Sequence, residues 1–590
     1  MTPGNPNPLV LGICDSHDAG VAVVRGNEVL AAINEERLTR RKMAAGIPYA
    51  ALEAIWALAG VSPTDVDVVA LAGLSAAGAR IPLNNDFCAD DGSALPQKSL
   101  AEALDRVPGG GYLMSRFAAH PGYQAMLERR ARQRVEELGR LLADLEVHAP
   151  IKTYEHHDCH AASAYWAGGH ADALVVTNDG FGDALCSKVQ TWSDERRGLH
   201  TLHATSFYDS LGVYYNFATL LCGFRKAHHA GKTTGLAAYG DPSGTRAVFA
   251  DLLQWDERRG QYRNRGGVFA NCLRTLRERL AGFSREDIAA GVQAHLEEVL
   301  CSMVAHFLAR TGRRHLVLAG GVHANVKANQ RIAALPGIDE MFVFPGMGDG
   351  GLAVGAAYLA AQACAGSVLP PRRLPDVYLG TAYDEQQMAD ALAAASCVAE
   401  RPADMARAVA AELAANRIVA RCSGRMEFGP RALGNRSILY PADRAEVNGW
   451  LNKQLHRTEF MPFAPVMRTE DAANLLVGYD DRTAYTAQFM TVTYDVTRRC
   501  REEAPAVVHI DGTARPQVIE RSVNPEYHDI LTAYHALSGL SVLVNTSFNM
   551  HEEPIVCTPE DAIKAFFDSG LDVLALGPFL LRNPRAERGS

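Results

Sequence analysis

Leu9-Val10-Leu11-Gly12-Ile13-Cys14-Asp15-Ser16-His17-Asp18, followed by the apolar run Ala19 to Val24, the turn Arg25-Gly26-Asn27-Glu28 and the apolar run Val29 to Ile33, decides how the chain opens. Short apolar runs separated by polar, glycine-bearing turns predict strand, turn, strand, turn, strand. A polar turn needs polar residues in any case. If the turn faces a cleft, His17 stands beside Asp18 where it can accept a proton from a hydroxyl. The next stretch, Asn34-Glu35-Glu36-Arg37-Leu38-Thr39-Arg40-Arg41-Lys42, reads as a solvated helix start, or as cations that reach an anionic ligand.

A second stretch carries the chemistry: Glu155-His156-His157-Asp158-Cys159-His160. His156 and His160 are four apart, so on a helix they share a face and can grip one divalent metal. Val175-Val176-Thr177-Asn178-Asp179-Gly180-Phe181-Gly182-Asp183 then reads as a strand running into a Gly- and Asp-rich turn, and Gly346-Met347-Gly348-Asp349-Gly350-Gly351 as another turn with a carboxylate. Two imidazoles on a helix and carboxylates at strand ends can make a metal site, whereas an H-x-x-x-H spacing by itself is common by chance.

The 590 residues exceed what one core holds, so two or three domains are expected. Hydrophobic content of 48% and charged content of 21% suit a globular enzyme. The net charge of −9 offers no general attraction to nucleic acid or an anionic membrane. No apolar run is long enough to span a bilayer, and Met1 to Pro8 lacks the regions of a signal peptide. Twelve scattered cysteines without a C-x-x-C pair predict reduced thiols and a cytoplasmic location.

Further along, 50–60 reads as helix, 65–72 as strand and 75–120 as irregular. The spacing of Leu127, Ala131, Val135, Leu138, Leu142 and Leu145 predicts an amphipathic helix over 123–146. Gly231-Lys232-Thr233-Thr234-Gly235 through Gly240 resembles a phosphate loop without the P-loop spacing. A helix over 291–310 and a strand over 315–319 lead to Gly320-Gly321-Val322-His323-Ala324-Asn325, a glycine turn opening a helix and suited to an anion or nucleotide. At least three strand-to-turn junctions in this half could face one cleft, as in an actin-like fold, and a first hairpin with a polar leading turn is how actin-like and sugar-kinase-like ATPase domains open. Residues 362–380, with Gly366, Pro370, Pro371 and Pro375 among them, are the linker candidate. Beyond it a strand over 418–421 enters Arg425-Met426-Glu427-Phe428-Gly429-Pro430-Arg431-Ala432-Leu433-Gly434-Asn435-Arg436-Ser437. Arginines interleaved with glycines offer planar donor forks to phosphate, or form a basic surface loop. Val544-Asn545-Thr546-Ser547-Phe548-Asn549 adds hydrogen-bonding groups at a strand end.

With these motifs in this order the chain resembles the bacterial O-carbamoyltransferases that modify nodulation factors, cephalosporins and aminoglycosides. The likeness rests on the His17-Asp18 turn with Glu36-Arg37 and Thr39-Arg40, His156-x-x-x-His160, Asn178 to Asp183, Gly231 to Gly240, Gly320-Gly321-Val322 with Asn325, Glu427 to Ser437, Asp511-Gly512-Thr513-Ala514-Arg515, and Asn545 to Asn549. The resemblance implies an α/β protein with two domains. Residues 1–365 would form an actin-like (ASKHA) ATPase-type domain similar to the tRNA threonylcarbamoyl transferase. Residues 366–590 would form a YrdC-like α/β domain.

It also implies that carbamoyl phosphate and ATP, with Mg²⁺, form carbamoyl-adenylate in the C-terminal domain. The carbamoyl group then passes to a hydroxyl of a small natural product at a metal site in the N-terminal domain. Iron (Fe²⁺), or another divalent metal, would be held by His156, His160, Asp179 and Asp349, with His17 as general base beside Asp18. Lys232, Gly320, Gly321 and Asn325 would shape the nucleotide side. Arg431, Arg436, Arg457, Arg515, Asn545 and Ser547 would hold carbamoyl phosphate and ATP. The chain departs from the family pattern at Ala230, Leu455 and Met461, where acidic, basic and arginine residues are usual, and Arg457 or His456 would substitute. A homodimer is compatible with the likeness, and antibiotic biosynthesis is the expected setting. The alternatives are a tRNA-modifying threonylcarbamoyl-type enzyme, disfavoured by the acidic balance, and a non-catalytic actin-like nucleotide-binding protein, which leaves the second arginine-rich domain unexplained.

Overall fold

The computed structural model describes residues 5–74, 121–225, 228–268, 270–454 and 463–584. The expectations for 75–120 and for Leu455, His456, Arg457 and Met461 lie outside them. The chain forms two compact units. One comprises Met1–Val29, Ala45–Tyr49 and Val61–Arg373, the other Leu30–Ala44, Ala50–Gly60 and Leu374–Ser590. Both are mixed α/β.

The first unit holds β1 (Leu9–Cys14), β2 (Gly20–Arg25), the start of β3 (Glu28–Asn34), β4 (Val68–Ala72), β5 (Ile151–Tyr154), β6 (Leu174–Gly182), β7 (Leu185–Ser193), β8 (Gly198–Ser206), a small hairpin of β9 (Leu253–Asp256) and β10 (Gln261–Asn264), β11 (His315–Ala319) and β12 (Glu340–Val343). They make two five-stranded sheets, ordered β3-β2-β1-β4-β5 and β8-β7-β6-β11-β12. In each, the founding strand is antiparallel to the next in sequence and parallel to the strand on its other side. The second sheet therefore repeats the first strand for strand, the duplicated plan expected of an actin-like domain. β1 and β4 are buried throughout, as strands covered on both faces must be.

The expected helix over 291–310 is present and longer, Arg285–Thr311. Ser284 caps it by accepting the Asp287 N–H at 3.1 Å, and Gly312 closes it. The amphipathic helix is also present as Pro121–Asp144, with Leu138 and Leu142 buried and Arg132, Glu136 and Glu137 exposed. The phosphate-loop-like stretch differs from expectation. It is a helix, Ala230–Leu236, running into a 3₁₀ turn, Ala237–Tyr239. Burial of Thr233, Gly235 and Leu236 outweighs the helical cost of its glycines.

The second unit holds β13 (Val419–Cys422), β14 (Arg436–Pro441), β15 (Ala464–Arg468), a small pair β16 (Tyr494–Asp495) and β17 (Thr513–Ala514), then β18 (Gln517–Ile519), β19 (Leu543–Ser547), β20 (Val573–Leu576) and β21 (Phe579–Arg582). Seven make one mixed sheet, β18-β15-β19-β14-β13-β20-β21. Val409 and Leu413 of the helix Met405–Ala414, and Tyr527, Ile530 and Tyr534 of the helix Pro525–Ser538, pack on it.

A single boundary near 365 does not anticipate the early segments of this unit. β3 carries the chain into it after Val29. The helix Glu35–Thr39 is not solvated: Glu35 and Arg37 are buried. Glu35 accepts the N–H groups of Ala50 and Ala51 at 3.2 and 2.8 Å. Arg37 donates to Gly429 O at 2.8 Å, and Arg40 to Ile555 O and Pro554 O at 2.5 and 2.7 Å. These two arginines serve backbone carbonyls and neighbouring carboxylates, Arg37 Nε lying 3.4 Å from Glu36 and Arg40 Nε 3.5 Å from Asp561. No described helix is long and apolar enough to cross a membrane, and every described cysteine is free.

Candidate functional site

Four ligand atoms converge in the first unit. β5 ends at Tyr154, and Glu155 opens the helix His156–Gly168 by accepting the Asp158 N–H at 2.9 Å. This puts His156 and His160 one turn apart on a buried face. β6 brings Asp179, and the turn after β12 brings Asp349 at the start of the helix Leu352–Cys364. His156 Nε2 lies 3.1 Å from Asp179 Oδ2 and 3.6 Å from Asp349 Oδ1. His160 Nε2 lies 3.8 and 3.4 Å from the same atoms, and the two Nε2 atoms are 3.1 Å apart. All four residues offer one ligand atom within 4.8 Å of the others.

The backbone is shaped to allow this. Gly182 leaves room for the His156 ring, since a Cβ there would lie 2.2 Å from it. Gly320 has φ +99°, and a Cβ on it would meet Asn178 O at 2.1 Å. The next residue, Gly321, donates its N–H to Asp179 Oδ1 at 3.1 Å. Gly320 and Gly321, expected to touch nucleotide, thus also set the position of Asp179. Asp183, read in the sequence only as part of the acidic turn, supports the site, and two further groups, Lys188 and Gln190, escaped the sequence reading. Asp183 Oδ2 accepts the N–H groups of His156 and Leu74 at 2.9 and 2.7 Å. Lys188 on β7 bridges Glu155 and Asp158 at 2.6 and 2.7 Å, and Gln190 donates to Asp158 at 2.8 Å. Their strand pairs with β6, but nothing local in the sequence points to the helix they brace.

The donor set fits a divalent cation. Burial opposes charge on His156, yet the carboxylates of Asp349 and Asp179 lift its pKa to about 9. Burial likewise opposes charge on Asp179, but hydrogen bonds from His156 and His160 hold it well below the usual carboxylate range. Two imidazoles and two carboxylates suit Fe²⁺ or Zn²⁺, and the negative charge they concentrate is what a bound cation would neutralise.

His17 belongs to this cluster. Its Nε2 lies 3.1 Å from Asp349 Oδ2 and its Nδ1 3.5 Å from Asp18 Oδ2, and its side chain is 43% exposed. The Asp349 carboxylate, against the effect of burial, pushes the imidazole up to about 10. Asn325 lies nearby in sequence to the Gly320–Gly321 turn and is locked in a network. Its Oδ1 caps the helix Val326–Ala333 through the Ala328 N–H at 3.0 Å, and its Nδ2 donates to Gln293 at 2.8 Å and Thr234 at 3.3 Å. Tyr215 donates to Gln293 at 2.8 Å. Thr234, rather than Lys232 two residues earlier on the same helix, is the group that meets Asn325.

In the second unit, one oxygen of buried Glu427 accepts the N–H groups of Leu433, Asn435 and Arg436 at 2.7, 2.7 and 3.1 Å, curling the Gly-Pro-Arg segment. Arg436 is fully buried and donates to the carbonyls of Ser423, Asn435 and Gly424. Its guanidinium braces the segment. Arg431 and Arg515 are unlike it: among the described residues neither Nε has a hydrogen-bond partner. Burial pulls Arg431 down to about 10, and burial with the Arg431 charge pulls Arg515 well down. Asn545 donates to Gln517 at 2.7 Å and Ala432 O at 3.2 Å, while its Oδ1 has no partner among the described residues. Gln517, unnoticed in the sequence, also donates to Leu433 O at 2.9 Å. Ser547 ends β19, the strand that carries Asn545.

Comparison with known proteins agrees in both halves. The Carbamoyltransferase N-terminus profile matches residues 9–358, and the Carbamoyltransferase C-terminus profile residues 410–583. The Nodulation protein NolO of Bradyrhizobium diazoefficiens is 34% identical over 439 residues, 72% of this chain and 78% of that protein. The Nodulation protein NolNO of Sinorhizobium fredii is 30% identical over 589 residues, 98% of this chain and 81% of that protein. A solved structure of T. kodakarensis HypF covers 61% of this chain and 48% of that chain at 14% identity and a TM-score of 0.35, a likeness too slight to bear on function. By both its N-terminal and C-terminal matches, the chain is an enzyme of the carbamoyltransferase family.

Proposed function

We propose that the chain is an ATP-dependent O-carbamoyltransferase acting on a hydroxyl of a small natural product. Carbamoyl phosphate is cleaved by water to carbamate and phosphate, and a carbamate oxygen displaces pyrophosphate from ATP to give carbamoyl-adenylate. The acceptor hydroxyl then takes the carbamoyl group and AMP leaves. The observation that carries this reading is the pair Arg431 and Arg515. Two half-buried guanidiniums that raise each other's cost, each with an Nε unpartnered among the described residues, offer donors and charge to a phosphate. Both substrates of the first step are phosphates. The unpartnered Asn545 Oδ1, with Ser547 on the same strand, supplies acceptors for an amide or amino N–H.

In the first unit, His156, His160, Asp179 and Asp349 would hold a divalent ion, iron by the family likeness. Such an ion supplies Lewis acidity to a carbonyl. His17 Nε2 lies on Asp349, and Nδ1 would take the hydroxyl proton once a cation held beside Asp349 offsets the carboxylate charge that otherwise keeps the imidazole protonated. Asp349 then stabilises the imidazolium, as a carboxylate behind a catalytic histidine does.

Pyrophosphate release from the full chain with ATP and Mg²⁺, with and without carbamoyl phosphate and with no acceptor, tests the reading. Release that requires carbamoyl phosphate is expected. Release that ignores carbamoyl phosphate, or none even with a panel of alcohols added, would overturn it.

A further inference from the structure

The helix Pro121–Asp144 has no part in the chemistry above, yet one of its arginines is turned away from water. The Arg134 side chain is 9% exposed and that of its partner Asp15 is 4% exposed. Arg134 Nε donates to Asp15 Oδ2 at 2.7 Å and Nη2 donates to Asp15 Oδ1, a fork closed on a carboxylate. The same guanidinium donates from Nη1 to Gly73 O at 2.5 Å and from Nη2 to Ala72 O at 2.8 Å. Asp15 is the first residue after β1 and Ala72 the last of β4, and these strands are parallel neighbours, with Ile13 opposite Leu71. One side chain therefore ties two strand exits to the helix. The tie continues: Leu74, just beyond Gly73, donates to the Asp183 carboxylate that also accepts the His156 N–H. On the β1 side, Asp15 is two residues from His17.

Seating an amphipathic helix does not need this. Leu138 and Leu142 already bury its apolar face, and a buried ion pair adds little net stability over an apolar contact of the same size. The turn it grips, by contrast, needs holding. Asp18 has φ +54°, a left-handed conformation uncommon for a residue with a Cβ. We infer that Arg134 and Asp15 are positioning residues for His17: they fix the turn after β1 so that His17 Nε2 stays on Asp349 and its ring keeps one orientation toward the acceptor. The helix Pro121–Asp144 is thereby coupled to the proton-transfer group. This rests on His17 being the base of the proposed reaction.

The test is the rate at which diethyl pyrocarbonate carbethoxylates His17 at pH 7, read by peptide mapping on the Zn²⁺-loaded full chain. That reagent needs neither ATP nor carbamoyl phosphate, so failure of the pyrophosphate assay leaves this answer intact. In Arg134→Gln and in Asp15→Asn the His17 rate should rise about tenfold or more, the factor that loss of one charge-assisted hydrogen bond allows. Arg134→Lys, which keeps the charge without the fork, should fall between. The exposed His148, which lies in the same unit, should keep its rate, as should bound Zn²⁺. An unchanged His17 rate in either neutral variant overturns the inference. So does a rise shared by all the histidines, which would mark general loosening. Should Arg134→Gln fail to fold, Asp15→Asn, which preserves the side-chain shape, decides alone.

Discussion

Asp349 divides its two oxygens between two tasks: Oδ2 lies 3.1 Å from His17 Nε2, while Oδ1 faces His156 and His160 at 3.6 and 3.4 Å. One buried carboxylate would thus serve both the proposed metal and the proposed base. The two roles can be separated by substitution. Asp349→Asn should lose both bound metal and carbamoyl transfer. His17→Asn should keep the metal and the pyrophosphate step but lower alcohol-dependent AMP release by about 10²- to 10⁴-fold, the usual contribution of a general base. Metal analysis beside AMP release separates the outcomes. Transfer at the native rate in His17→Asn would remove it from the reaction.

His156→Ala should empty the proposed metal centre and leave carbamoyl-phosphate-dependent pyrophosphate release intact, because the residues proposed for the two steps belong to different compact units. Bound metal per chain is the direct readout. A full equivalent in this variant would mean that His156 is not a ligand.

Arg515→Ala should do the reverse. Its Nε has no partner among the described residues, so removing it breaks no hydrogen bond seen there and relieves the repulsion that also acts on Arg431. We expect an unchanged or raised Tm, unchanged metal, and loss of pyrophosphate release by about 10²-fold or more. Normal release would sink the anion role.

Much of this centre was legible in the sequence because its ligands are set by local rules. Two histidines four apart need only a helix, and Asp179 and Asp349 need only a strand or turn to deliver them. What braces them was not legible. Lys188 meets Glu155 and Asp158 across a hairpin, and Arg37 meets a carbonyl 392 residues away. Sequence spacing says nothing about partners so remote, so Arg37 and Arg40 read either as a solvated helix start or as cations for an anionic ligand when they are struts. Arg436 shows the same limit within a motif. Its donors are visible in the sequence, but whether they face a ligand or the carbonyls of Ser423 and Asn435 is decided by the curl that Glu427 imposes. The duplicated sheets were only half legible: each hairpin announces itself, but the pairing of β6 with β11 joins strands well over a hundred residues apart.

Lys188→Met provides a test of that bracing. The substitution keeps the length of the side chain and removes its charge, leaving Glu155 and Asp158 without their shared cation behind the first turn of the metal-bearing helix. Removal of a group that orients metal ligands costs about 10- to 100-fold in affinity. Metal titration should show that weakening together with a lower Tm. Native affinity would show that the helix is positioned by its packing alone.

His295 supplies a pH dependence that owes nothing to the reaction. It is 1% exposed on the helix Arg285–Thr311, both of its ring nitrogens lack partners among the described residues, and its ring stacks near Phe249 at 6.3 Å. Burial, aided by the Arg246 charge, lowers its pKa from 6.5 to about 4. The folded chain therefore binds fewer protons here than the unfolded chain between pH 6.5 and 4. Stability from this group is complete above about 6.5 and falls as the pH drops toward 4, by up to about 3 kcal/mol. His295→Phe removes the titration and keeps the apolar ring, so the loss of Tm between pH 7.5 and pH 5 should be smaller in the variant than in the native chain. Equal losses in the two would mean that His295 finds a proton partner when the solution turns acid.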